Sequence, residues 1–199
     1  YMTGHQRIIF NGNGYSDEWV VEAEKRGLPN IKSMIEAAST LTSEKAVALF
    51  EKFGIYTKAE LESREEIIYE TYAKTINIEA LTMIDMAGKD IIPAVSAYTG
   101  DLANTVLAVK EAGATASTQV ELLKKVDGLL TEAQAALETL QAETAKASEI
   151  EDVKAQAFYY KDTVKAAMDA LRAPVDKLEM VVDSDIWPMP TYGELMFEV

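Results

Sequence analysis

The sequence predicts an all-α fold: an antiparallel bundle of long helices with a short N-terminal extended and turn segment and an extended, Pro-containing C-terminal tail. Two observations carry this prediction. From about residue 58 to residue 182, apolar residues recur at alternating three- and four-residue spacings, the pattern of helices packed along a shared seam at a shallow angle. Across all 199 residues there are only 10 Gly and 5 Pro, while 48% of the residues are hydrophobic, so a packed core is expected and global disorder is not.

At the N-terminus, Arg7-Ile8-Ile9-Phe10 is a short β-branched and aromatic run that reads as a strand. Asn11-Gly12-Asn13-Gly14 closes it as a turn, because Asn and Gly tolerate the positive φ that tight turns demand. Ser16, followed by Asp17 and Glu18, is an N-cap with acids in the first turn, and Gly27 with Pro29 ends the helix, giving Asp17 to Arg26. A compact helical elbow follows, with a weak helix around Ser33 to Ala38 and a stronger one opening at Thr42-Ser43 and stopping at Gly54.

After Thr57, which can cap, the run from Lys58 to about Lys110 holds one Pro and two Gly, and is either one very long helix or two nearly in line. Its seam is Ile84, Gly88, Ile91, Val95, Tyr98, Leu102, Thr105 and Val109. Pro93 removes a backbone donor and crowds the carbonyl of Lys89, which predicts a kink without a break. Gly113-Ala114 marks a turn. The next helix carries Leu123, Val126, Leu130, Ala133, Leu137 and Leu140, and a third, after Ser148, carries Ile150, Val153, Ala157, Tyr160, Val164, Ala167 and Leu171. Long amphipathic stretches joined by short links make an antiparallel bundle. Pro174 is expected to bend the last helix, which fades near Val182. Trp187-Pro188-Met189-Pro190 keeps the tail extended, and Leu195, Met196 and Phe197 give it an apolar end that calls for a docking surface.

Charge narrows the function classes. Nineteen Lys and Arg stand against 33 Asp and Glu, a formal net charge of -14, with no basic and aromatic interleaving, so nucleic acid is disfavoured as a partner. No apolar run approaches the roughly 20 residues that span a bilayer, which argues against a membrane partner, and the absence of Cys fits a cytoplasmic protein and excludes thiolate chemistry. A first residue Tyr1 is what a chain trimmed from something longer would show.

Each candidate chemistry meets an objection. The only His is His5, outside the bundle, so the Glu-x-x-His pairs of a di-iron bundle are missing, as are a zinc ligand set and a supported catalytic triad. Glu60, Glu62, Glu65 and Glu66, with Arg64 among them, read as a solvated face with local ion pairs. Glu79 and Asp85 sit where Ile76, Ile78, Leu81, Met83, Ile84 and Met86 make the helix apolar nearly all round, so a carboxylate buried there needs a salt bridge or a contact with another domain. Tyr159 and Tyr160 read as seam and rim residues. The NGNG turn lacks the third Gly of a dinucleotide fingerprint and the Lys-Ser/Thr of a P-loop, and Ser16, Asp17 and Glu18 fill the anion position with the chain's own acceptors. No catalytic, cofactor-binding or metal-ligating residue is assigned.

Three longer strings are more specific than any of these motifs. RIIFNGNGYSDEW with EAEKRGLPN, then KTINIEALTMIDMAGKDIIPAV, then WPMPTYGELMF, in this order from Arg7 to Phe197, resemble the C-terminal region of the type III glutamine synthetases. The resemblance implies a parent enzyme that joins ammonia to glutamate using ATP and Mg2+ or Mn2+, through an acyl phosphate. The family's metal carboxylates and phosphate-handling arginines belong to an upstream region of which no string is present, so no catalytic position transfers and this chain alone is expected to be inactive.

In that reading residues 1–30 are the exit from the catalytic domain, 31–182 the helical bundle and 183–199 an extended docking tail. The expected role is structural, oligomeric or regulatory, with the parent's own catalytic domain and neighbouring subunits of a homo-oligomer as partners. A second reading is a free-standing bundle acting as an adaptor that offers a helix face to another protein.

Overall fold

The computed structural model describes residues 2–197, and its helices gather into two compact units, residues 2–68 and 69–197, divided within one long helix. Among the described residues there is no strand, in keeping with the all-α expectation.

The first unit begins with 3-10 turns at Met2–Gly4 and Gln6–Ile8, where the sequence suggested a strand from Arg7. A strand needs a neighbour to take its N–H and C=O groups. None is available among the described residues, and the amides of Ile8 and Ile9 instead bond back to His5 and Gln6. Helices α1 (Asp17–Lys25), α2 (Met34–Ala38) and α3 (Glu44–Lys52) follow the sequence signals closely. Ser33 and Glu36 form a reciprocal capping box on α2, and Ser43 caps α3.

Helices α1 and α3 end at Gly27 and Gly54, whose φ angles of 68° and 61° are open to glycine at little cost. In both, the next amide bonds five residues back, Leu28 to Ala23 and Ile55 to Phe50, which satisfies an otherwise orphaned carbonyl. The long helix α4 (Lys58–Met86) is opened by Thr57, whose amide donates to the Glu60 carboxylate at 2.7 Å. That backbone bond, and a second from the Thr57 hydroxyl, hold the Glu60 carboxyl below its usual range.

In the second unit, α4 runs through a π-helical turn, Ala87–Ile91, into α5 (Ile92–Glu111). The amide of Ile92 reaches back five residues to Ala87, immediately before Pro93, so the proline is taken up in a widened turn and the helical run does not break. The turn has a second consequence. At about 100° per residue, the buried positions upstream (Ala73, Ile76, Ala80) and downstream (Val95, Leu102, Val106) would otherwise diverge by roughly 70°. The added residue turns the downstream positions back by about 100°, which leaves roughly 30° in the opposite sense and keeps one apolar side toward the bundle. It also moves the seam: Gly88 and Thr105 are exposed, and Ala87 and Val106 take the buried places.

Gly113 ends α5 with the same five-residue return, Ala114 to Val109. Helix α6 (Ser117–Ser148) is central and packs most extensively against α8 (Lys165–Glu179) and α5. Its buried residues Val126, Ala133, Leu137 and Leu140 are those the spacing picks out, with Leu129 buried in place of the half-buried Leu130. Helix α7 (Val153–Tyr159) leads through a second π-turn, Tyr160–Val164, into α8, which continues past the buried Pro174.

Two apolar clusters result. One joins Ala73, Ile76 and Ala80 of α4 to Leu137 and Leu140 of α6 and Val164, Met168 and Leu171 of the last helical run. The other joins Ile91, Val95 and Leu102 to Val126, Leu129 and Ala133, and is closed by Leu178 and Val182.

The tail departs from its expected extended form. Residues Tyr192–Phe197 form a short helix, α9, because Thr191 and Glu194 make another reciprocal cap. The last two residues of the expected docking tail lie outside the described ones.

Candidate functional site

Two places bring together residues that the sequence left unconnected. In the first unit, Arg26 at the end of α1 ties down the NGNG stretch. Its guanidinium donates to the Ile9 carbonyl and to the Glu22 carboxylate, both at 2.7 Å, and lies 5.5 Å from the centre of the Trp19 ring. Trp19 in turn stacks on Phe10 at 4.3 Å. A cation over an indole face and a stacked aromatic pair together hold the loop against its helix.

Gly12 answers to this packing. A Cβ there would come within 2.6 Å of the Phe10 ring, while Gly12 and Gly14 are not among the glycines of positive φ. The expectation of a left-handed NGNG turn is therefore replaced by one of close approach. The Asn13 side chain accepts from the Tyr15 amide. Ser16 sits at the N-cap, but its hydroxyl donates to the Asn13 carbonyl and does not receive a helix amide. Asp17 and Glu18 remain in the first turn, at the positive end of the helix.

In the second unit a cleft of about 200 Å³ is lined by Met83 and Ala87 of the α4 run, Leu171 and Val175 of α8, and Trp187 and Met189 of the tail. An ion pair between Arg172 and Asp176, 3.2 Å apart, stands at its rim. Ile186, Trp187 and Met189 pack on the second apolar cluster, so this part of the tail docks on its own bundle. Tyr192, Leu195, Met196 and Phe197 stay exposed. The indole Nε1 of Trp187 is buried without a hydrogen-bond partner, as is the hydroxyl of Thr144 in α6. The cleft is an apolar feature and offers no paired nucleophile and base. Pro188 and Pro190 announced an extended segment, but which surface Trp187 would meet depends on a fold that brings residues 83 and 171 together.

The residues weighed for chemistry fall as follows. His5 is exposed. Glu62 pairs with Lys58 at 3.5 Å and Arg64 lies 4.3 Å from the Tyr56 ring centre, but Glu65 is only 7% exposed, so the glutamate face is not wholly solvated. Asp85 and Glu79 are exposed within this chain, and Asp85 forms an ion pair with Lys89 one turn on, one of the two outcomes the sequence reading favoured for these carboxylates.

Tyr160 is a core residue whose hydroxyl donates to Asn77 at 3.0 Å, and burial pushes its pKa above 10.0. Tyr159 donates to Glu143 at 2.5 Å. That carboxyl is held low first by Lys146 and then by Tyr159. Among the described residues no three His, Cys, Asp or Glu side chains converge, so the donor set does not fit a divalent metal. No helix among them is long and apolar enough to cross a membrane.

The architecture is that of a helical-bundle domain whose distinctive features are packing surfaces. A family model described as the glutamine synthetase C-terminal domain matches residues 1–110, and the chain belongs to that family. It is 40% identical over 200 residues to a glutamine synthetase of Butyrivibrio fibrisolvens, covering 100% of this chain and 29% of the relative. It is 33% identical over 203 residues to a type-3 glutamine synthetase of Dictyostelium discoideum, covering 97% of this chain and 27% of the relative. A glutamine synthetase of Bacteroides fragilis (strain YCH46) is 32% identical over 196 residues, covering 96% and 27%. The chain thus spans less than a third of the length of the curated relatives it matches, and the type III resemblance read from the three strings is confirmed.

Proposed function

We propose that this chain is the C-terminal helical part of a cytoplasmic glutamine synthetase, and that its role there is architectural. The parent reaction is the ATP-dependent ligation of ammonia to glutamate, with Mg2+ or Mn2+. The bundle contributes contacts to the catalytic region and to neighbouring subunits and carries no ligation step itself. The observation that carries this reading is the asymmetry of coverage: relatives that match nearly all of this chain are more than three times its length. Exposed apolar residues support it, since Ile8, Ile9 and Tyr15 near one end and Leu195, Met196 and Phe197 near the other suit continuation onto a larger surface.

Incubation of the purified 199-residue chain with glutamate, ammonia, ATP and Mg2+ is expected to yield no glutamine, and robust synthesis would overturn the reading. Thermal melting with and without Mg2+ and ATP is expected to show no shift, because a ligand bound only by the folded form would raise the midpoint. The adaptor reading is separated by the coding sequence upstream of residue 1. An in-frame β-grasp and acid-rich barrel supports the ligase parent, and a stop codon followed by a start at Met2 supports a free-standing adaptor.

A further inference from the structure

We propose that the outward face of α4 between Glu70 and Lys89 is a self-recognition surface, on which a second copy of this chain lays the same helix antiparallel across a two-fold axis. The inference deepens the inter-subunit role proposed above, and rests on it, by naming the surface and the partner.

The inward side of this stretch is occupied by Ala73, Ile76 and Ala80. On the opposite side Thr71, Lys74, Ile78, Leu81 and Asp85 follow one another at alternating three- and four-residue steps, a second seam on the same helix. No described residue covers it: Ile78 is 65% exposed and Leu81 51%. The apolar pair is flanked by two ion pairs of the same order along the helix, each with the acid four residues before the lysine, so that a lysine borders the pair on one side and an aspartate on the other. Lys74 meets Glu70 at 2.6 Å on one side, and Lys89 meets Asp85 on the other.

That order of charges is self-complementary. An antiparallel alignment centred between residues 79 and 80 sets Ile78 against Leu81 of the second copy and Lys74 against its Asp85. One turn further out, Glu70 meets its Lys89. Together with the ion pairs within each helix, these contacts close a ring of four charges alternating in sign, and the two-fold axis repeats the ring. A parallel alignment would instead place Lys74 beside Lys74 and Asp85 beside Asp85. The formal charge of -14 on each copy opposes association at low salt and is screened over about 8 Å at physiological ionic strength. Two apolar side chains per copy make a small interface, so the isolated chain should pair at concentrations on the order of 0.1 mM.

The test is sedimentation equilibrium of the 199-residue chain at physiological ionic strength. The unmodified chain should be a concentration-dependent dimer. Lys74→Glu and Asp85→Lys each oppose like charges twice, and each should weaken dimerisation about 10-fold or more. Mixed in equal amounts, the two variants restore opposite signs at both contacts and should recover pairing. Because the chain has no Cys, mixed Ile78→Cys and Leu81→Cys chains should also cross-link more readily than either alone, a readout that does not depend on the charge variants. Variants that dimerise like the unmodified chain would overturn this face while leaving the inter-subunit role standing. A mixture that stays monomeric would overturn the antiparallel pairing. An unmodified chain that remains monomeric would overturn self-recognition and assign the face to another part of the parent or to a different protein.

Discussion

The two compact units are held together by different means. In residues 2–68 few apolar side chains are buried, chiefly Ala23, Ile35, Ala38 and Leu61, while Val21, Met34, Leu49, Phe53 and Ile55 remain exposed. Its order comes from local devices: the Ser33–Glu36 and Thr57–Glu60 caps, the Gly27 and Gly54 terminators, and the Arg26, Trp19 and Phe10 stack. In residues 69–197 the long helices share two continuous apolar clusters, and capping is secondary. Short helices rely on end effects because nucleation is costly and a few turns bury little. Long helices draw their stability from the faces they share. Each unit should therefore fail at a different kind of substitution.

The largest effect is expected at the centre of the second unit. Leu140→Ala removes a fully buried side chain and leaves a cavity, and should cost about 2–5 kcal/mol in urea unfolding. A loss under about 1 kcal/mol would mean that the cluster collapses to fill the gap, and that the long helices are loosely packed.

Next comes the backbone of the first unit. Gly54→Ala forces a Cβ into φ 61° and should cost about 1–2 kcal/mol, although a Cβ there meets no neighbour within 4 Å. Ser33→Ala removes one side of a capping box for about 1 kcal/mol and should raise amide exchange over Met34–Ala38 first. If that substitution instead loosened exchange across the second unit, the local character assigned to the first would be wrong.

The smallest effect is a pH dependence. Burial raises the folded pKa of Tyr160 above its ordinary value of 10.0, so the folded state holds the proton more tightly than the unfolded chain. The associated stability is present below pH 10 and is lost as pH rises through the folded pKa. Tyr160→Phe should flatten stability against pH in that range, and tyrosinate absorbance should lose one of the late-titrating groups, which also include Tyr72 and Tyr159.

Much of this was legible in the residues. The stops at Gly27, Gly54 and Gly113, the opening of α3 at Ser43 and the seam of the last long helix from Ala157 to Leu171 depend on side chains within a few residues of one another, and all are seen. The strand at Arg7 was not, because strands are completed by partners and none is present among the described residues. The NGNG glycines were misread for a related reason: Gly12 is required by the Phe10 ring it touches and not by its own φ. The salt bridge expected at Asp85 is formed, with Lys89 one turn on, and it lies on the bare side of the helix because a helix with two apolar sides can turn only one of them inward within a single chain.

The sequence by itself determined where most of the helices before the tail begin and end and which family the chain resembles, because caps, glycines and long matching strings are local properties of the residues. Only the tertiary structure decided which face of α4 is left bare, how a π-turn keeps that run in phase past Pro93, and that Trp187 docks on its own bundle while Phe197 does not. These outcomes depend on side chains far apart in the chain competing for the same apolar surface, and periodicity alone does not rank the competitors.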